Sequence, residues 1–197
     1  PGKENIFVNG SILPSLSLKK EIQNLKSGDR LVKDEVVIAG RIDGDCSGIN
    51  SIEEVIFKKD VPCESTFTKI NFAWDIFSKN EEALKDDFHL FTNGRKSVAI
   101  SPTNMVITPE NVFLEEGAKV ECAVLNASDG FIYIGKDAEI MEGAMIRGPF
   151  ALCEHSQVRM GAKIYGSTTV GPYCKVGGEI SNSVIFGFTN KSHDGFL

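Results

Sequence analysis

Aliphatic residues return every six positions through the second half of the chain, at Ile134, Ile140, Ile146, Leu152, Val158, Ile164, Val170 and Val176. An amphipathic helix repeats near every 3.6 residues and a half-buried strand every two. A sustained period of six is neither; it is the mark of a structural repeat. Four residues after each aliphatic position the side chain is usually small: Ala138, Ala144, Ser156, Ala162, Thr168 and Cys174, with Phe150 and Ile180 as exceptions. Leu114 and Val120 belong to the same series, which slips by two residues near the segment NASDGF. These spacings predict a solenoid of short strands in which each hexad forms one flat edge and three edges close a triangular coil. The aliphatic residue points inward and the small one fits beside the corner. Coils stacked at roughly 4.8 Å pair their backbone groups with the coils above and below. Glycines at 117, 135, 143, 161, 171 and 177 fall near the corners, where a positive φ is expected.

The first half follows other periods. NIFVNG predicts a short strand ending in an Asn9-Gly10 turn. Leu18, Ile22 and Leu25 have helical spacing, closed by Gly28. DEVVIAGRID predicts a strand centred on Val36 to Ala39. Ile70, Trp74, Phe77, Leu84 and Phe88 predict a long helix, followed by a turn at Gly94 to Lys96. The expected organisation is therefore an α/β portion over residues 1–97 and a parallel β-helix over residues 98–197.

Composition narrows the function classes. The 197 residues are 42% hydrophobic and 24% charged, enough for a real core. A formal charge of -6 and the lack of any basic block argue against nucleic acid as the main partner. No apolar run reaches 18 residues, so no membrane span is expected. The five cysteines, Cys46, Cys63, Cys122, Cys153 and Cys174, are odd in number and show no C-x-x-C spacing. They read as free thiols in a reducing, cytoplasmic compartment. The chain opens on Pro1 and stops at Leu197 inside its own repeat, as an internal piece of a longer polypeptide would.

The [LIV]-G-x-x-[small]-x rhythm resembles the hexapeptide-repeat, left-handed β-helix family, which includes acyltransferases and sugar nucleotidyltransferases. Taken with VNGSILP, FAWDIFSKN, GPFALCEHS and SNSVIFGFTNKSHDGFL, the chain is similar to bacterial bifunctional N-acetylglucosamine-1-phosphate uridylyltransferase/glucosamine-1-phosphate acetyltransferase proteins. The match is to a divergent branch whose nucleotidyltransferase half is reduced. This resemblance implies a transferase of sugar-nucleotide biosynthesis, acting on sugar phosphate and nucleotide, with acetyl-CoA as co-substrate and Mg²⁺ serving the nucleotidyltransferase half. It also implies a homotrimer joined through the β-helix. The acetyl-CoA site would form between neighbouring β-helices from later coils, so residues 1–197 are expected to bind sugar phosphate weakly and to lack full acetyl transfer.

The resemblance assigns roles to a few side chains. His193, in NKSHDGF after the rhythm breaks beyond Val176, would be the base that takes a proton from the sugar amine. An imidazole titrates near neutral pH and suits that task. Arg159, directly after inward Val158, would hold the sugar phosphate, because a guanidinium fork matches phosphate geometry. An unbroken register stacks Gly177 and Gly195 above it. The family's phosphate-binding lysine falls by spacing near Gly177 and Gly178, neither of which can serve, leaving Lys175 and Lys191 as substitutes. Phe196 stands where those enzymes carry a tyrosine. Each of these residues also reads as an ordinary solvated or loop residue. Asp43 and Asp45 in RIDGD suit Mg²⁺, and equally an ordinary turn. The glycine-rich phosphate loop of a nucleotidyltransferase is not in this sequence. His89, His155 and His193 lack the spacing of a three-histidine zinc site.

Overall fold

The computed structural model describes residues 4–44, 46, 49 and 55–196. The chain divides into two compact units, Pro1–Asn71 and Phe72–Leu197.

The first unit holds a four-stranded sheet in the order β1-β3-β2-β4. Its strands are β1 (Glu4–Val8), β2 (Asp29–Lys33), β3 (Val36–Asp43) and β4 (Lys59–Pro62). Strands β1 and β2 run antiparallel to β3, and β4 runs parallel to β2. Helix α1 (Leu16–Gln23) starts at Ser15, whose hydroxyl accepts the Leu18 N–H at 3.2 Å and so satisfies one of the first-turn donors. Leu18 and Leu25 go into a core with Ile12, Leu31, Ile38 and Ala39. Strand β1, helix α1 and strand β3 lie where the apolar pattern puts them. Strand β2 carries one fully buried side chain, Leu31, in a mixed surround, so no alternation betrays it.

The expected long helix from Ile70 is shorter and broken. Ile70 instead donates its N–H to the Ser11 carbonyl at 2.7 Å, beside the antiparallel bridge between Ile12 and Lys69. In the second unit, helix α2 (Asp75–Ser78) begins at Asp75, whose carboxylate accepts the Phe72 N–H at 3.1 Å. Helix α3 (Asn80–Thr92) follows after Lys79 and stops before Gly94, at φ 72°.

From residue 105 the second unit is a parallel β-solenoid with three five-stranded faces. The first face is β5 (Met105–Ile107), β8 (Val124–Asn126), β11 (Met145–Arg147), β14 (Lys163–Tyr165) and β17 (Glu179–Ser181). The second is β6 (Val112–Leu114), β9 (Ile132–Ile134), β12 (Phe150–Leu152), β15 (Thr168–Val170) and β18 (Val184–Ile185). The third is β7 (Lys119–Val120), β10 (Glu139–Ile140), β13 (Gln157–Val158), β16 (Lys175–Val176) and β19 (Asn190–Lys191). In the middle coils the register advances by eighteen residues: Ile140 pairs with Val158, Val158 with Val176, Ile134 with Leu152, and Ile146 with Ile164. All eight hexad residues are buried, none more than 2% exposed. Each contributes about 1.5–3 kcal/mol by leaving water.

Phe150 and Ile180 break the small-residue rule for different reasons. The second face turns two side chains inward per coil, so Phe150 stacks between Ile132 and Thr168 in register and is 1% exposed. Ile180 is itself an inward aliphatic residue, paired with Ile164, because the last coil is shortened. The rhythm therefore continues past Val176. Val170 pairs with Ile185 and Val176 with Lys191, fifteen residues on.

The corner glycines separate into two kinds. Gly117, Gly143 and Gly161 take positive φ as expected, whereas Gly135, Gly171 and Gly177 do not. These three are glycines for lack of room: a Cβ on Gly171 would lie 2.6 Å from the Gly187 nitrogen. At another corner, non-glycine residues hold the positive φ, namely Asp137, His155 and Tyr173. The His155 and Tyr173 rings stack with centroids 4.8 Å apart.

Candidate functional site

The end of the third face gathers three of the four site residues read from the sequence. Arg159 follows Val158 at the edge of β13 and donates its backbone N–H to the Val176 carbonyl at 2.8 Å. Gly177 lies on the next coil directly against it: a Cβ there would stand 3.1 Å from Arg159 Cβ and 3.3 Å from Cγ. The missing side chain leaves space that the arginine stem uses. Among the described residues its Nε is buried with no hydrogen-bond partner. A buried guanidinium donor left unpaired is costly, and such an atom calls for an explanation; an anionic acceptor supplies one.

Above Gly177 comes Ser192, whose carbonyl is 3.1 Å from the same virtual Cβ, and not Gly195 as an unbroken register would have it. The shortened last coil is the cause. Gly195 has moved round the corner, where its carbonyl accepts the Glu179 N–H at 3.0 Å. Phe196 then bridges to Glu179 and is itself 72% exposed.

Lys191 ends β19 with its ammonium turned onto backbone oxygen. It donates to the carbonyls of Gly177 at 2.7 Å, Gly195 at 3.0 Å and His193 at 3.4 Å. An ammonium has three protons to donate, and these contacts account for all of them. Lys191 holds the Ser192 to Gly195 turn against the corner, leaving nothing free for a phosphate. His193 sits exposed in that turn, in the polar loop beyond the last complete rung. Lys175 stands apart from this cluster, exposed on the flat of the third face between Gln157 and Asn190 in register. Ser192 takes this column in place of Gly195, and the sequence signal for it is Ile180, which follows Val176 by four residues instead of six.

The remaining candidates place simply. Asp43 is exposed at the end of β3, and Asp45 lies outside the described residues. Among the described residues no group of three or more His, Cys, Asp or Glu side chains could hold a metal ion. All five cysteines are free thiols. Cys174 is a packing residue: its sulfur accepts the Thr189 N–H at 3.3 Å, and its own N–H goes to Ser156 Oγ at 2.9 Å. No described helix is long and apolar enough to cross a membrane.

Residues 1–96 match the family of sugar nucleotidyl transferases. The matched stretch takes in the whole first unit and runs on through α2 and α3, past the border of the compact units at Asn71 and Phe72. It ends before the first solenoid strand. No curated protein matches the chain. A sugar nucleotidyl transferase-like segment followed by a parallel β-helix fits a transferase of sugar-nucleotide biosynthesis.

Proposed function

We propose that the β-helix transfers an acetyl group from acetyl-CoA to an amino-sugar 1-phosphate of the glucosamine 1-phosphate kind, coupled to a nucleotidyltransferase segment that makes the nucleotide sugar. The observation that carries the sugar-phosphate reading is the buried Nε of Arg159, unpartnered among the described residues, beside the space left by Gly177. In this reading the Arg159 fork pairs with the sugar phosphate, where the delocalised cation and planar donors match the anion. The amine nitrogen attacks the thioester carbonyl, forming the C–N bond as the C–S bond breaks, and the thiolate of CoA leaves. His193 takes the proton released by the amine. Lys191 fixes the turn that carries His193. The acetyl-CoA site and the trimeric assembly are carried over from the family resemblance.

The test begins with binding. Calorimetry with glucosamine 1-phosphate should give saturable binding that weakens at least tenfold in Arg159→Ala, and less in Arg159→Lys. Equal affinity in all three proteins overturns the phosphate role. In the full-length enzyme, His193→Ala should then cut free-thiol release from acetyl-CoA by two to four orders of magnitude, the usual contribution of a positioned base.

A second reading has its own support, since the family match stops at residue 96. There the protein is a sugar-1-phosphate nucleotidyltransferase whose β-helix only assembles or regulates the chain. That reading expects His193→Ala to leave full-length activity intact and Arg159→Ala to leave sugar-phosphate binding unchanged.

A further inference from the structure

Helix α3 does not lie flush on the solenoid. It is pinned at its start by Asn80, whose Nδ2 donates to the Ser167 carbonyl and whose Oδ1 accepts the Thr169 hydroxyl, both at 2.8 Å. Further along, Phe88 stacks on Phe131 with ring centroids 4.2 Å apart. Between these anchors the facing residues are Ala83 on the helix and Ala151 on β12, and they leave a chamber of about 180 Å³. Its walls are mostly apolar, with the rings of Phe88, Phe91, Phe131 and Tyr133 around the space. An open shelf lined by Lys136, Glu154 and Pro172 shares Phe91, Tyr133 and Cys153 with the chamber, which gives a way in from solvent.

Beside Asn80 and Thr169, which are bonded to one another, Cys153 and Asp87 line this space. Cys153 is half-buried, and burial pushes its thiol above the ordinary range, with Cys174 and nearby carboxylates adding to the effect. Asp87 is exposed at the rim; partial desolvation and then the neighbouring Asp86 raise its carboxyl. Lys85 also borders the chamber, but its ammonium is engaged by Glu81 at 2.7 Å. Mostly apolar walls with a few converging polar groups are the usual make-up of a small-molecule site.

We propose that the chamber under α3 binds a small, neutral aromatic molecule, a single ring carrying one hydroxyl-sized polar substituent. An apolar cavity of about 150 Å³ is known to accept benzene, so the volume here suits one substituted ring. Phe88, Phe91 and Tyr133 offer ring faces and edges for stacking. The substituent meets Cys153 or Asp87. An anionic ligand would have to bring its charge in beside Asp87 with the Lys85 ammonium already engaged by Glu81, which is costly. This site is independent of Arg159 and His193, and it stands or falls separately from the transferase reading.

Phenol is the probe. In ¹⁵N-labelled wild-type protein, phenol should produce saturable amide shifts confined to α3 and to Tyr133, Ala151 and Cys153. It should also slow iodoacetamide alkylation of Cys153 at least fivefold, read by peptide mass mapping. Benzoate, the same ring with a charge, should do neither at equal concentration. Ala83→Leu, which fills the chamber, should abolish both phenol effects; Ala151→Val serves if Ala83→Leu loses its helical circular dichroism. Should both variants fail to fold, Cys153 protection in the wild type decides. No saturable shift, no protection, unchanged phenol binding in a folded filled variant, or equal binding of benzoate each overturns the proposal.

Discussion

Arg159 owes its position to Gly177. The glycine is held on both sides, with Arg159 Cβ and the Ser192 carbonyl each 3.1 Å from the place a Cβ would take. Gly177→Ala should therefore push the arginine stem aside. Sugar-phosphate affinity measured by calorimetry should fall about tenfold, while the fold survives with a loss of about 1–3 kcal/mol from overpacking. An alanine variant that binds as tightly as wild type would separate Arg159 from the phosphate.

The two kinds of corner glycine should respond differently to the same methyl group. At Gly135 a Cβ would lie 2.8 Å from the Glu154 nitrogen and 2.9 Å from the Leu152 carbonyl oxygen, all backbone of the next coil. Nothing flexible can move, so Gly135→Ala must shift a rung and should cost about 1–3 kcal/mol or more. Gly161 has φ 68° but, among the described residues, no atom within 4 Å of where its Cβ would stand. Gly161→Ala should show only the cost of a left-handed alanine, about 1–2 kcal/mol. Urea melts of the two variants side by side check the order.

The solenoid was legible because its physics is periodic. Ile134 to Val176 each meet the same surroundings one coil later, and selection for an inward aliphatic residue leaves a visible beat. The ends were harder to read. Past Val176 the beat shortens to fifteen or sixteen residues per coil, and Ile180 looked like a misplaced small position when it was the next inward rung. Ile132 and Leu125 were hidden by the insertion at NASDGF, although both are 0% exposed. In the candidate site, Arg159 and Gly177 could be brought together by register alone, while Lys191 could not be assigned. Its ammonium bonds the His193 and Gly195 carbonyls of one irregular turn and the Gly177 carbonyl of the coil below, and sequence spacing carries no trace of such a turn. The chamber under α3 was equally invisible, since it depends on where a helix rests on a face.

A core substitution tests the solenoid itself. Ile164 is 1% exposed and pairs with Ile146 below and Ile180 above. Ile164→Ala should cost about 2–5 kcal/mol, the range for deleting a buried aliphatic side chain where the walls collapse only in part. Its outward neighbour Lys163 is exposed, and Lys163→Ala should stay within about 0.5 kcal/mol of wild type. Denaturant midpoints that rank the pair the other way would contradict the inward placement of the hexad residue.

Acid should loosen the two units through different carboxylates. In the first unit, Glu21 accepts the Ser65 hydroxyl together with the backbone N–H groups of Glu64 at 3.0 Å and Ser65 at 2.9 Å. The Ser65 bond is the largest cause holding its carboxyl below the ordinary range, with the two backbone bonds adding to it. In the second unit, Glu115 is lowered chiefly by the bidentate Arg95 fork and further by the Tyr133 hydroxyl, which donates to Glu115 at 2.8 Å. A carboxylate whose folded pKa lies below its unfolded one stabilises the fold above the unfolded value. That stability drains away as pH falls through the folded value, because the unfolded chain takes up protons first. Both units should hold their melting temperature from pH 7 down to the ordinary carboxylate range near 4.3 and lose it progressively below. Glu21→Gln should flatten the acid slope of the first unit and Glu115→Gln that of the second, each lowering stability at neutral pH. Thermal melts at half-unit intervals from pH 7 to 3 read the slopes, and an unchanged slope in either variant would remove that glutamate from the account.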